Sequence, residues 1–466
     1  MLPTDLSGCR VTVMGLGLHG GGIETARYLS RHGALVTVTD TRSETDLAPS
    51  LKKLEGLPVR YVLGTHEVAD FATADMVVKN PAVPRKTAIL SQARRIETDI
   101  SLFLKMSSNP VIAVTGSKGK STTVTAIHHV IKGRDLRACL GGNITVSPLT
   151  FVDDIEPDAP VILEISSFQL GDLLLVDRGE GWRLLHPTVS VVTNILPDHQ
   201  NYYHSMATYI ADKKLVFRGQ SSDQFTLVNF DQSEGRNFAQ QTPARPFFFS
   251  VAPLPENVSG GYFRGDTGWI RTPDGETRIL EPSNIPAATR TNLLVAGTAL
   301  SLFGVSPAEI RRGLASFPGI EHRMELFAER DGVRFINDSA STIPEATAAA
   351  IAGTPGRVLL VAGGTDKELS FELFTDIARS AAETHLLAGS ATEKIIQLLD
   401  AAKIGYFGPY TSLSACIEAV GRRCSSGTTV LFSPGCTSFG MFLNEFDRGR
   451  QFKSLVLEMF APVDTP

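Results

Sequence analysis

An apolar, β-branched run that breaks into a glycine turn, a lysine and two hydroxyl residues constrains this chain more than any other stretch. Residues 111–124 read VIAVTGSKGKSTTV. Val111 to Val114 have the unbroken apolar character of a strand buried on both faces, as in a parallel sheet. Gly116 and Gly119 let backbone N–H groups close on phosphate oxygens. Lys120 neutralises β/γ-phosphate charge, and Ser121 can offer its hydroxyl to Mg²⁺ at a helix N-terminus. The spacing is G-x-x-G-K-S, two residues shorter than the usual phosphate loop. An ordinary strand-to-helix turn has no need of Lys and Ser in this register. The stretch Gly116, Ser117, Lys118, Gly119, Lys120, Ser121, Thr122 is therefore read as an ATP site.

A similar unit opens the chain. Residues 9–14 (CRVTVM) read as a strand, Gly15-Leu-Gly17-Leu-His-Gly20 as a turn, and the stretch to about Arg31 as a helix. A strand from Leu35 to Thr39 then ends at Asp40, 20 positions past the last glycine. A βαβ unit with G-x-G-x-x-G points to a pyrophosphate on a helix N-terminus and a carboxylate near a sugar or base. Taken alone it reads as dinucleotide binding, an NAD-dependent oxidoreductase included. Asp75 to Val78 reads as a further strand, running into Lys79-Asn80-Pro81-Ala82-Val83-Pro84, whose prolines favour an extended loop. Residues 96–105 read as a helix, and the polar break Ser107 to Pro110 marks a domain boundary.

At 466 residues the chain has room for about three domains. A net charge of −5 gives no reason to expect a nucleic-acid partner. The 5 cysteines, with no C-x-x-C pair, fit reduced cytosolic thiols better than a disulfide framework or structural zinc. No apolar run approaches the roughly 18–20 residues of a membrane span, and MLPTDLSG carries no export signal. The expectation is a cytoplasmic enzyme without membrane insertion.

Beyond the phosphate loop, Gly141-Gly142-Asn143 makes a flexible loop carrying an amide. Val161 to Ile165 is apolar but for Glu164, a Mg²⁺ ligand candidate at the carboxyl end of a parallel strand, or a cap on the following helix. Thr188 to Asn194 reads as a strand ending in Ile195-Leu196-Pro197-Asp198-His199, at the metal–phosphate edge of the sheet. Tyr209 to Phe217 reads as a helix whose Lys213 and Lys214, by themselves, make a solvated face. Gln220 to Ala287 is β-like with little helical periodicity. Ala288 to Ala315 returns to helices, with Asn292 near a start, and Pro318-Gly319 closes the region. The remainder alternates again: a strand into Asn337-Asp338-Ser339, a helix Glu345 to Ala352, a strand Val358 to Ala362 into Gly363-Gly364, and Thr429 to Phe432 into Ser433-Pro434-Gly435. This is a second α/β layer structure.

In order along the chain, VTGSKGKSTT, LEISSFQL, NILPDH, YIADK, EHRME, NDSAST and SPGCTSFGMF resemble the Mur ligases over essentially its full length. That family's phosphate loop has the same shortened spacing. The resemblance implies an α/β chain of three domains. These are a Rossmann-like N-terminal domain (1–107) for a UDP-sugar substrate, a central P-loop ATP-binding domain (108–318) and a Rossmann-like C-terminal domain (319–466) for an amino acid. It implies ATP-driven amide ligation in peptidoglycan precursor synthesis, adding D-glutamate to UDP-N-acetylmuramoyl-L-alanine through an acyl phosphate. L-Glutamate, or another step of the same family, is the nearest rival. ATP, one or two Mg²⁺ ions and a monomeric enzyme are implied.

Carried over by residue, the resemblance makes Lys120, His199 and Lys213 catalytic, with Ser121, Glu164, His199 and a carbamylated Lys213 at the metal. Asn292, Arg323 and Asp338 become nucleotide contacts. Leu18, His19, Asp40, Thr41, Arg42 and Asn143 hold the UDP-substrate, which reassigns the first glycine motif from NAD to UDP. Thr342, Lys367 and Ser438 contact glutamate. The chain departs from the family pattern at Val295, where a second asparagine would serve adenine, and at Ala82, Ala340 and Glu445.

Overall fold

The computed structural model describes residues 6–460 except 19, 145, 177–184, 198–199, 204, 282–286, 367–368 and 439. Its described strands form three sheets, in two compact units that part between Phe317 and Pro318. The architecture is mixed α/β with largely parallel sheets. No helix among the described residues is long and apolar enough to cross a membrane.

The first unit holds two of the sheets. Strands β1 (Arg10–Met14), β2 (Leu35–Asp40), β3 (Val59–Leu63), β4 (Met76–Lys79) and β5 (Ile96–Glu97) lie all parallel in the order β3-β2-β1-β4-β5. The chain leaves β1 on one side and returns at β4 on the other. The crevice at their carboxyl ends is thus a topological switch point, where such sheets take ligands. Lys79, read from sequence as the start of an extended loop, instead ends β4 and is 1% exposed.

The second sheet contains β6 (Val111–Thr115), β7 (Cys139–Gly142), β8 (Val161–Glu164), β9 (Val189–Val192), β10 (Phe225–Asn229), β11 (Arg245–Ser250), β12 (Gly260–Arg264), β13 (Thr267–Thr272) and β14 (Gly275–Leu280). Its order is β14-β13-β12-β11-β10-β9-β6-β8-β7. β6 is buried along its whole length between β8 and β9, as its unbroken apolar run requires. The carboxyl ends of these three neighbours deliver Gly116, Glu164 and Thr193 to one edge. The β-like stretch after Gln220 also contains a helix, Ser233–Gln241. Its apolar face is carried by one buried aromatic, Phe238, too little to register as helical periodicity.

The predicted helix at 96–105 is a strand, Ile96–Glu97, and then a helix, Asp99–Met106, because Thr98 and Ser101 form a capping box. This helix serves two cores. Leu102 packs with Val11, Val13 and Val36 of the first sheet, whereas Ile100, Phe103 and Leu104 pack with Val111, Ala113 and Val161 of the second.

The second unit contains β15 (Glu325–Arg330), β16 (Val333–Asn337), β17 (Arg357–Ala362), β18 (Glu383–Leu387), β19 (Phe407–Tyr410) and β20 (Thr428–Phe432), in the order β15-β16-β20-β17-β18-β19. Only the β15–β16 pairing is antiparallel. Loops after β16, β17 and β20 meet at one edge. Gly435 N–H donates to the Ser341 carbonyl, and Thr365 and Thr437 exchange backbone hydrogen bonds.

Candidate active site

The phosphate loop is held from behind by its carbonyls. Gly116 sits at φ +143°, and a Cβ on it would stand 1.9 Å from Thr193 Oγ1, so this position admits only glycine. Gly119, at φ +84°, precedes the helix Lys120–Lys132, and a Cβ there would stand 2.3 Å from Asn292 Oδ1. The Lys118 carbonyl accepts Thr193 Oγ1–H (2.6 Å) and Asn194 Nδ2–H (3.1 Å). Lys120 Nζ donates to the carbonyls of Gly116 (2.9 Å) and Ser117 (3.0 Å). Lys213 Nζ donates to the same Gly116 carbonyl at 2.8 Å. Ser121 and Thr122 are half-buried in the first helical turn.

Lys213 and Lys214 therefore part company. Lys213 is 1% exposed and its ammonium lies 4.6 Å from the Tyr209 ring centroid, while the Tyr209 hydroxyl and Ser117 Oγ are 2.8 Å apart. A solvated face is the wrong description of this helix at Lys213. Two ammonium groups converging on one carbonyl make the loop a basin for polyanions.

Glu164 ends β8 beside Val114 of β6, and its side chain is buried. Asn143 Nδ2 donates to Oε1 at 2.8 Å, whereas Oε2 is buried without a hydrogen-bond partner among the described residues. An orphaned carboxylate oxygen at the phosphate edge, with the Ser121 hydroxyl at the first turn of the loop helix, fits a hard divalent cation such as Mg²⁺. The predicted ligand His199 lies outside the described residues.

Asn143 also lines a cavity of about 310 Å³ with Leu16, Gly17, Leu18, Arg42, Asn80, Pro81 and Ala82. The cavity occupies the switch point of the first sheet. Asp40 stands behind the turn: Oδ2 accepts the N–H groups of Leu16 (2.9 Å) and Gly17 (3.2 Å), and Oδ1 that of Arg42 (3.0 Å). Thr41 is exposed, and His19 lies outside the described residues.

The predicted nucleotide and glutamate contacts Arg323, Asp338, Thr342 and Ser438 belong to the second unit. Asp338 is buried; Oδ1 accepts Met324 N–H, and Oδ2 accepts the hydroxyls of Ser341 (2.5 Å) and Ser433 (2.8 Å). Burial pushes its carboxyl above the usual range against these hydrogen bonds. Thr342 and Ser438 lie on the loops that meet at this edge, Arg323 is exposed, and Lys367 lies outside the described residues.

Sequence reasoning passed over Arg448. It is 1% exposed and donates to Ser339 Oγ, the Ser339 carbonyl and the Cys436 carbonyl, tying the helix Glu445–Met459 to two edge loops. Burial lowers its guanidinium to about 10. An arginine flanked by Asp447 and Arg450 carries no sequence signal of burial. Among the described residues, Glu321, His322 and Glu325 cluster with metal-ligand spacing, but Lys453 Nζ already sits on Glu321 (3.2 Å) and Glu325 (2.5 Å).

Family models described as Mur ligase MurD-like, N-terminal domain and Mur ligase middle domain match residues 9–101 and 114–258. A protein of Treponema pallidum named UDP-N-acetylmuramoylalanine–D-glutamate ligase is 38% identical, over 98% of this chain and 98% of its own. One of the same name from Borreliella burgdorferi is 40% identical, over 98% of this chain and 99% of its own. The solved UDP-N-acetylmuramate-alanine ligase MurC of Thermotoga maritima superposes with a TM-score of 0.60 at 17% identity, covering 97% of this chain and 99% of that one. MurF ligase from Thermotoga maritima in complex with ADP gives 0.57 at 16% identity, covering 98% and 96%. At these identities the solved structures speak for the fold alone.

Proposed function

The chain belongs to the Mur ligase family, and on that premise we propose that it is an ATP-dependent ligase joining D-glutamate to UDP-N-acetylmuramoyl-L-alanine in peptidoglycan synthesis. The observation that carries this reading is the end-to-end likeness to relatives that bear the D-glutamate ligase name, 38% and 40% identical over 98% of this chain. Three domains share the reactants between them, with the UDP-substrate on 1–107, ATP on 108–318 and glutamate on 319–466. The enzyme works as a monomer in the cytoplasm.

The physical problem is to bring a carboxylate against a triphosphate. Lys120 and N–H groups at the start of the loop helix disperse the γ-phosphate charge, on a loop whose carbonyls hold its shape. Mg²⁺, when held by Ser121, Glu164, His199 and a carbamylated Lys213, neutralises phosphate charge in the same place. Asn292, Arg323 and Asp338 hold the nucleotide. Leu18, His19, Thr41, Arg42 and Asn143 hold the UDP-substrate, with Asp40 fixing the turn that carries Leu18. The substrate carboxylate oxygen attacks the γ-phosphorus, the bond to ADP breaks, and an acyl phosphate forms. The amine of glutamate, oriented by Thr342, Lys367 and Ser438, adds to the acyl carbon and loses a proton. The tetrahedral adduct then expels phosphate and leaves the amide.

The test is phosphate release from ATP with UDP-N-acetylmuramoyl-L-alanine and a panel of amino acids. Turnover with D-glutamate and label from D-glutamate in the product are expected. Incorporation of L-glutamate alone, or of a different amino acid, sinks the assignment.

A further inference from the structure

Two ion pairs, one buried and one largely buried, stand outside the residues given roles above, and they bracket one loop. At its start Lys79 Nζ meets Asp172 Oδ2 at 2.6 Å and donates to the Asn80 carbonyl at 3.1 Å, with both charged side chains at most 1% exposed. At its end Arg85 pairs through both terminal nitrogens with the two carboxylate oxygens of Asp212 and donates to the Gly171 carbonyl at 3.0 Å. Between them Asn80, Pro81 and Ala82 wall the cavity of the first sheet. Asp172 ends the short helix that follows Glu164, and Asp212 immediately precedes Lys213.

Space is as tight as charge here. A Cβ on Gly171 would stand 2.4 Å from Asp212 Oδ2 and 2.5 Å from Arg85 Nη1. Buried ion pairs are a poor way to gain stability, because desolvation offsets most of their attraction, but they fix geometry, since each charge tolerates few positions. Paired at both ends of a cleft wall, and anchored on the helix that follows Glu164 and on the residue before Lys213, they connect the substrate cavity to the phosphate loop.

We propose that the Arg85–Asp212 pair, with Lys79–Asp172 at the other end of the loop, positions Lys213 according to the state of the substrate cavity. Arg85 and Asp212 are positioning residues: neither lines the cavity nor touches the loop carbonyl. This rests on the ligase reading above only for the identity of the ligand, UDP-N-acetylmuramoyl-L-alanine. When that ligand settles on the 80–82 wall, the clamp stiffens the helix Met206–Lys214 and holds Lys213 Nζ at the Gly116 carbonyl.

The decisive variant is Arg85→Met/Asp212→Leu, which replaces the pair by apolar side chains of similar size and so avoids stranding a buried charge. Arg85→Lys keeps the charge but loses the two-point contact. Hydrogen exchange over 206–214 is measured with and without UDP-N-acetylmuramoyl-L-alanine, alongside kcat and both KM values. The wild type is expected to gain protection there on adding the ligand. The double variant is expected to lose that gain and to fall by about 10²-fold in kcat, with KM for ATP unchanged. Arg85→Lys is expected to lie between them. Wild-type protection and kcat in both variants overturn the clamp, whatever their thermal stability. A double variant that does not fold leaves Arg85→Lys to decide in the same way. Wild-type protein that binds the ligand, gains protection over 206–214 and forms no amide would instead overturn the ligase reading and keep the clamp.

Discussion

Two glycine turns, each leaving a strand flanked on both sides by parallel neighbours, look alike in sequence and are wired differently. At the end of β1 the N–H groups of Leu16 and Gly17 point inward to the Asp40 carboxylate. At the end of β6 the carbonyls of Gly116, Ser117 and Lys118 are held by Lys120, Lys213, Thr193 and Asn194, and the N–H groups of Ser117 and Lys118 donate to the Asn194 carbonyl and Oδ1. Both turns therefore spend backbone donors on the protein, and what differs is the charge placed behind them. The second turn has lysines drawn up to its carbonyls, of which Lys120 brings positive charge to phosphates. The first has a carboxylate, Asp40, behind it instead, so its ligand is held by the cavity walls and by side chains such as Leu18 and Arg42.

The largest expected effects fall on the second turn. Lys120→Ala and Lys213→Ala each remove an Nζ–H donor from the Gly116 carbonyl, and each is expected to lower kcat by about 10²–10³-fold, measured as ADP release. Equal losses in KM for both substrates with kcat intact would break the contrast, since the lysines would then serve general binding. Glu164→Gln comes next. It keeps an acceptor for Asn143 and removes an orphaned buried charge, so thermal stability should hold or rise by about 1 kcal/mol. The Mg²⁺ concentration for half-maximal activity should rise by about 10–100-fold. A fall in stability without a shift in Mg²⁺ dependence would make Glu164 a structural carboxylate.

Asp40→Asn tests the first turn. The amide oxygen can still accept, but its NH₂ faces backbone donors, so the turn should lose about 1–3 kcal/mol. KM for the UDP-substrate should rise about tenfold while KM for ATP stays put, because the two turns hold different ligands. A matching rise in KM for ATP would show that they are not independent.

The contrast also explains what sequence could reveal. The phosphate loop was legible because its chemistry needs glycine, lysine and serine within a few contiguous residues, and any rearrangement would destroy it. Asp40 was legible as important but not as a brace, since 20 residues of spacing say nothing about which way a carboxylate faces. The pairs Lys79–Asp172 and Arg85–Asp212 were invisible because their partners lie 93 and 127 residues apart, and each charge alone reads as surface. Arg448 was hidden in the same way, 109 residues from Ser339. The break at Ser107–Pro110 does not part the first two sheets into separate compact units, because the helix before it feeds Leu102 to one core and Phe103 to the other. A linear pattern shows that such a helix is apolar and cannot show that its apolar sides belong to different sheets.

The smallest effect separates the turns by pH. His66 lies behind the first one, its Nδ1 2.8 Å from Thr39 Oγ1 and its ring edge-on to Phe71. Burial pushes the imidazole below its ordinary value of 6.5, and the nearby Asp40 charge opposes this only in part. The folded protein therefore takes up this proton less readily than the unfolded chain. The resulting stability is complete above about pH 6.5 and falls as the pH drops through the depressed folded value. His66→Asn keeps a polar partner for Thr39 and cannot titrate. Urea midpoints at about pH 7.5 and about pH 5 should then differ less than in the wild type, with KM for ATP the same in both proteins at the higher pH. Parallel acid losses would move the proton to another imidazole held down by burial, at His128, His322 or His385. The first turn would then have no acid sensitivity of its own, and the difference between the turns would be one of wiring alone.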